Sequence, residues 1–262
     1  MGLGTSTRLA RIFAHSSGNL FGVAMDHFIG YGDVRRGGLA NLPAALDLVM
    51  GAEPDSVTIL GGAARSLWPR YAGQAALIVQ GGCFTVDDRV QELVSGPADA
   101  LRLGADALAV AVPVRGKSEG KYLRWLTDSV NQAAPLELPI VAHIYPRDFS
   151  SEPTIVFTPE EIAWAVRIGI ETGVDVIKVG FPGDYASFKE IVDSCPVPIV
   201  IAGGPKTETL EEALEQIRLG LMAGAKGAVV GRNIWGSQEP LQAALAYKAV
   251  IHDHQTLAAT FA

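Results

Sequence analysis

The chain has 262 residues, 48% of them apolar and 19% charged, with a formal net charge of −7. That balance is ordinary for a globular protein with a large core, and its acidic sign speaks against nucleic acid or an anionic membrane as a general partner. No apolar run approaches the roughly 20 residues that span a bilayer. The opening MGLGTSTRLARIFAHSSGNL lacks the apolar stretch of a signal peptide. Only Cys83 and Cys195 are present, without C-x-x-C spacing, so a reducing cytoplasm is expected rather than a disulfide scaffold.

In chain order, β-branched runs alternate with segments of helical period. The predicted strands are LFGVAM (20–25), SVTIL (56–60), ALIVQ (76–80), ALAVAV (107–112), PIVAHI (139–144), DVIKV (175–179), PIVIA (198–202) and GAVVG (227–231). Between them lie helix-like stretches such as LPAALDLVMG, ARSLWPRY, GKYLRWLTDSVNQ and ETLEEALEQIRLGLMAG. The clearest spans 158–172, where Thr158 can cap, Pro159 suits the first helical position and Glu161 completes a capping box. GADALAV (104–110), GVDVIKV (173–179) and GAKGAVV (224–230) repeat one pattern, a glycine ending a helix ahead of a strand.

Eight such strands with about eight helices predict one (β/α)8 TIM barrel, an α/β domain over 1–262. An open doubly wound sheet normally carries G-x-G-x-x-G after its first strand, and the chain reads DHFIGYG there.

In such a barrel, chemistry belongs at the C-terminal ends of strands. Strand one ends in Asp26-His27, with Gly22, Ala24 and Asp26 on one face; a capping aspartate is the plain alternative. Strand five ends in HIYPR, so His143 and Tyr145 share a face, and Arg147 follows. A lone histidine there is more often a hydrogen-bonded core residue than a catalyst.

Strand six places Val174, Val176 and Lys178 together, apolar until its end. A lysine there either snorkels to solvent, pairs with Asp175 or Asp184, or is buried so that it loses its proton and becomes a nucleophile. Strand seven runs into Gly203-Gly204-Pro205-Lys206 and strand eight into Gly231-Arg232-Asn233. That corner often binds phosphate, although glycines also serve tight turns.

Taken together, DH after strand one, YPR at strand five, IKVGFPGD at strand six, VPIVIAGGPKT at strand seven and GAVVGRNIW at strand eight resemble the class I aldolases of the DeoC/FbaB/LsrF-like superfamily. The likeness runs from about residue 20 to 250 and looks nearest to archaeal-type fructose-1,6-bisphosphate aldolases, with aminodeoxyheptulosonate synthases and the autoinducer-2 thiolase nearby. It implies a Schiff base on Lys178, proton transfer by Asp26 and Tyr145, and a phosphate grip by Gly203, Gly204, Gly231 and Arg232. Lys206, His27, His143 and Arg147 join these as candidate substrate or phosphate contacts. A phosphorylated sugar substrate, no cofactor, no metal and a large homo-oligomer, often a decamer, are implied as well.

The chain departs from that pattern at Phe28, at His143 and in LGGAARSLWPRYAG, where substrate identity is decided. Three rivals stay open: a synthase or acyl-transferring thiolase on the same barrel, a flavin-dependent oxidoreductase, and a metal-dependent enzyme drawing on His15, His27, His143, His252 and His254. In the last, the HDHQ tail reads as a solvated helix end. Arg115, Lys117 and Lys121 read as a solvated loop, Trp68, Trp125 and Trp164 as helix–barrel packing, and Trp235 as an interface residue.

Overall fold

The computed structural model describes residues 2–27, 38–84, 91–151, 154–205 and 207–253. Phe28, Lys206 and His254 lie outside the described residues.

The repeated glycines set the rhythm of the fold. Gly104, Gly173 and Gly224 have φ of 75°, 78° and 107°, the left-handed region in which a Cβ would crowd the backbone. At Gly173 the N–H groups of Gly173 and Val174 turn back onto Ile170 and Gly169 O, at 3.2 and 3.3 Å, which ends the helix and redirects the chain. An aspartate recurs at the next step. Asp55, Asp106 and Asp175 each stand just before a strand and accept the N–H of Phe21, Leu77 and Ile140, at 2.7, 3.3 and 2.9 Å, near the start of a neighbouring strand.

These units build eight barrel strands: β1 (Leu20–Ala24), β2 (Ser56–Leu60), β3 (Ala76–Gln80), β4 (Ala107–Val114), β5 (Ile140–Asp148), β6 (Val176–Val179), β7 (Ile199–Ala202) and β8 (Gly227–Val230). Every neighbouring pair is parallel, and pairing of β1 with β8 and of β4 with β5 closes the cylinder. The helices around it are α2 (Leu42–Met50), α3 (Gly61–Leu67), α4 (Pro97–Arg102), α5 (Glu119–Ala133), α6 (Pro159–Thr172), α7 (Tyr185–Asp193) and α8 (Leu210–Met222), followed by the short α9 (Arg232–Trp235) and α10 (Pro240–His252). The strand boundaries agree with the sequence reading to within one residue, except that β4 and β5 run further at their ends, β5 extending to pair antiparallel with 154–155.

Alternation sorts the side chains into two cores. Leu20, Ala76, Ile78, Ala107, Ala109, Val141, Val176, Val200 and Val229 fill the barrel, whereas Val23, Ile59, Val79, Val110, Ile177 and Ile201 meet the helices. Val174 belongs to the outer cluster, not to the inner face with Val176, because it completes the turn that ends α6. A first helix, α1 (Leu3–Ile12), precedes β1, and its Ile12 is fully buried against the interior cluster. Glu137 anchors that helix, its carboxylate accepting the Gly4 N–H at 2.7 Å while its carbonyl accepts from Arg8.

Four local expectations are corrected by tertiary contacts. Thr158 does cap α6, but the Glu161 carboxylate binds Arg115 at 2.7 Å, so the capping box is half made. Trp164 is 40% exposed, with the Arg115 guanidinium 4.0 Å from its ring centroid; Trp68 packs in the helix–barrel core and Trp125 against its edge, as expected. Trp235 is buried, its indole N–H donating to Ala24 O at 2.8 Å. His252 is buried too: it stacks on His15, its Nδ1 lies 3.0 Å from Ser17 Oγ and its Nε2 3.1 Å from Asp55. No described helix is long and apolar enough to cross a membrane.

Candidate active site

The inner faces of β1, β3, β5 and β6 bring four polar side chains to one level near the C-terminal rim. Lys178 pairs in register with His143 on one side and Val200 on the other. Neither alternative for the lysine survives: it is 2% exposed, Asp175 accepts the Ile140 N–H, and Asp184 caps α7 through the Ser187 N–H. Among the described residues the Lys178 Nζ has no hydrogen-bond or ion-pair partner. Burial lowers its pKa from 10.5 to about 8, against a smaller opposing pull from Asp26.

Asp26 sits just beyond β1 with its side chain 7% exposed. Gln80 Nε2 donates to its Oδ2 at 2.7 Å, and His27 Nδ1 lies 3.0 Å from its Oδ1. Burial alone would raise the carboxyl; His27, Lys178 and His143 outweigh it and hold Asp26 far below the usual range, so it stays ionised. His143 is 2% exposed, and burial together with the Lys178 charge pushes it well below the ordinary imidazole value. Tyr145 follows on the same face of β5, its phenol pushed up by burial and by Asp26, so it remains protonated through the physiological range. Arg147 is buried beyond it, 5.7 Å from the Tyr145 ring centroid.

On the same C-terminal rim the ends of β7 and β8 converge, between those of β6 and β1. Gly204 has φ of 68°. A Cβ on Gly203 would meet Val230 Cγ1 at 2.8 Å, and one on Gly231 would meet Ala24 O at 3.0 Å. Backbone geometry and close packing therefore require these glycines whether or not an anion binds. Arg232 Nη2 reaches Gly204 O at 3.4 Å. Asn233, which the sequence reading quoted without assigning it a role, ties the two loops: its Nδ2 donates to Gly203 O and Pro205 O at 2.8 and 3.0 Å, and its Oδ1 accepts the Thr207 N–H.

His27 meets Asp26 and lies 6.0 Å from the Trp235 ring. Arg115 and Lys121 are engaged at the surface with Glu161 and Glu92. Gln80 is the member of the site that sequence reasoning missed. Its only signal was a polar residue ending an inward-facing strand, the signal already used for Lys178. A cavity of about 740 Å3 opens beside Asp26, lined by Met25, Leu39, Asn41, Leu60, Gly62 and Ser95 among others. Asp26 forms part of its wall and Lys178 does not line it. Among the described residues no three His, Cys, Asp or Glu side chains converge as metal ligands would.

A closed parallel barrel with titratable groups gathered at the C-terminal rim has the layout of a TIM-barrel enzyme. The DeoC/LacD family aldolase profile matches residues 21–237, and the chain belongs to that family, whose members are carbon–carbon lyases of the class I kind. It is 29% identical to 2-amino-4,5-dihydroxy-6-oxo-7-(phosphonooxy)heptanoate synthase of Streptomyces griseus, covering 96% of this chain and 91% of that one. It is 34% identical to the class 1 fructose-bisphosphate aldolase of Thermoproteus tenax over 61% of this chain and 60% of that one. A solved archaeal fructose 1,6-bisphosphate aldolase superposes with a TM-score of 0.83 at 30% identity, covering 95% of this chain and 99% of that one. Another solved structure of an archaeal fructose-1,6-bisphosphate aldolase, equally similar, has its catalytic lysine covalently bound to the carbinolamine intermediate of the substrate.

Proposed function

We propose that the protein is a class I aldolase that makes or breaks a carbon–carbon bond in a phosphorylated ketose through a Schiff base on Lys178. The observation that carries this reading is the buried lysine, its Nζ unpaired among the described residues, with burial pushing its pKa down to about 8. At pH 7 about a tenth of such a lysine is free amine, roughly 300-fold more than at its ordinary pKa.

Lys178 Nζ adds to the ketone, the carbinolamine loses water, and the resulting iminium draws electrons from the bond to be broken. A base removes the proton from the substrate hydroxyl, the carbon–carbon bond cleaves, and an enamine remains on the lysine. Tyr145, held protonated, supplies and recovers protons at the mouth. Asp26, held ionised, accepts them or orients the substrate hydroxyl. Positioned proton transfer of this kind contributes about 10²- to 10⁴-fold.

The substrate class follows from chemistry shared by two relatives. A 6-oxo-7-(phosphonooxy) chain and fructose 1,6-bisphosphate both carry a ketone beside a phosphorylated carbon. A phosphooxymethyl ketone is therefore the proposed donor half, with its phosphate at the Gly203–Gly204 and Gly231–Arg232 corner. The distal half differs between the relatives. A synthase acting on the same donor is the second reading, favoured by the name of the Streptomyces relative. The proposed setting is the cytosol, as a homo-oligomer of one-domain subunits.

Lys178→Met is the decisive variant. Turnover of a panel of phosphorylated ketoses, with and without an added aldehyde acceptor, should vanish in it while the fold persists. Turnover by this variant at the wild-type rate would overturn the assignment.

A further inference from the structure

The contacts of Gln80 determine a proton position that heavy atoms alone do not display. Its Oε1 accepts the Gly82 N–H at 3.0 Å, which settles which end of the amide is oxygen. The other end, Nε2, donates to Asp26 Oδ2 at 2.7 Å and faces His143 Nδ1 at 3.4 Å. An amide nitrogen only donates, so His143 Nδ1 is the acceptor and the single proton of the neutral ring sits on Nε2. That Nε2 is buried and has no hydrogen-bond partner among the described residues. It belongs to the residue in direct register with Lys178.

We propose that Gln80 is a positioning residue for the lysine chemistry: it locks His143 as the Nε2–H tautomer and holds Asp26 as an acceptor, so that a neutral donor rather than a second cation stands beside Lys178. The inference rests on the reading of Lys178 as the Schiff-base residue. When Lys178 adds to a ketone, the Nζ–C bond forms and one amine proton passes to the former carbonyl oxygen. The hydroxyl so made, on the carbon bonded to Nζ, is the acceptor that the His143 Nε2–H lacks in the free protein. His143 keeps its proton throughout, so it acts as a fixed hydrogen-bond donor.

The test is the nitrogen-15 spectrum of histidine-labelled, substrate-free protein, with His143→Asn used to assign the His143 signals. A protonated Nε2 and a bare Nδ1 at pH 7 are expected; a ring protonated on Nδ1, alone or together with Nε2, overturns the proposal. Because no substrate is present, this result stands or falls separately from Schiff-base formation.

Gln80→Glu supplies a second readout, since it sets a carboxylate oxygen against Asp26 and His143 Nδ1 and recruits a proton between them. Borohydride trapping of dihydroxyacetone phosphate on the protein should slow about 100-fold at pH 7, the scale of a small misplacement, and the acid limb of its pH profile should move to higher pH. A folded Gln80→Glu protein with a lowered Tm and an unmoved pH profile would mark Gln80 as merely structural and overturn the proposal. Should that variant fail to fold, the spectrum of the wild-type protein decides.

Discussion

Lys178, buried without a counter-ion at hydrogen-bond distance, has two measurable consequences at the residue scale. In the proposed chemistry the reactive form is the neutral amine, so kcat/KM should rise about tenfold per pH unit below pH 8 and level off above it, where Lys178 is mostly deprotonated. A profile already flat from pH 6 would show that another group limits the reaction. The second consequence concerns stability. Below pH 8 the lysine is charged in both folded and unfolded chains and the burial cost is fully present. Between about 8 and 10.5 the folded chain holds fewer protons than the unfolded one, so stability rises with pH across that window. Lys178→Met, which removes the buried charge, should therefore stabilise the protein at pH 7 by up to about 3 kcal/mol. Denaturant unfolding at pH 7 and pH 10 measures it, and the gain should shrink at the higher pH.

At the scale of elements, the site depends on strands whose inner faces are small and dry. Residue types and period two placed Gly22, Ala24 and Asp26 on one face, and likewise His143 with Tyr145 and Val176 with Lys178. Alternation is local, so it was legible. What sequence could not supply were partners chosen by packing across the fold. The Glu161 carboxylate leaves its own helix end for Arg115, His252 is drawn under the barrel by Ser17 and Asp55, and Gln80 reaches two other strands at once. Each of these contacts joins residues far apart in the chain, and no local pattern encodes them. The same holds for α1, which sequence did not single out and whose Ile12 closes the interior cluster from outside the repeating units. Ile12→Ala should cost about 2–5 kcal/mol, as for other buried large-to-small changes. Thermal or denaturant unfolding checks this, and a loss under 1 kcal/mol would mean that the helix is not needed to seal the barrel.

At the scale of the whole molecule, closure of the sheet makes the chemistry work. A lysine on an open sheet would face solvent or a helix; on the inner wall of a cylinder it is stripped of water on all sides but one. The glycine that ends a helix ahead of a strand, at Gly104, Gly173 and Gly224, was legible in the chain; the aspartates that tie neighbouring strands, Asp106 and Asp175, were not. The anion corner at β7 and β8 was legible as glycines, yet Val230 and Ala24 already demand small residues there. The phosphate role proposed for it therefore leans on Arg232 and on the family resemblance more than on the glycines. The central claim is that Lys178 Nζ becomes covalently bonded to a substrate carbon. Borohydride reduction in the presence of dihydroxyacetone phosphate, followed by peptide mass mapping, tests it most directly. The added mass should fall on the peptide containing Lys178 and on no other; adduct on a different lysine, or none while the enzyme turns over, would contradict the account.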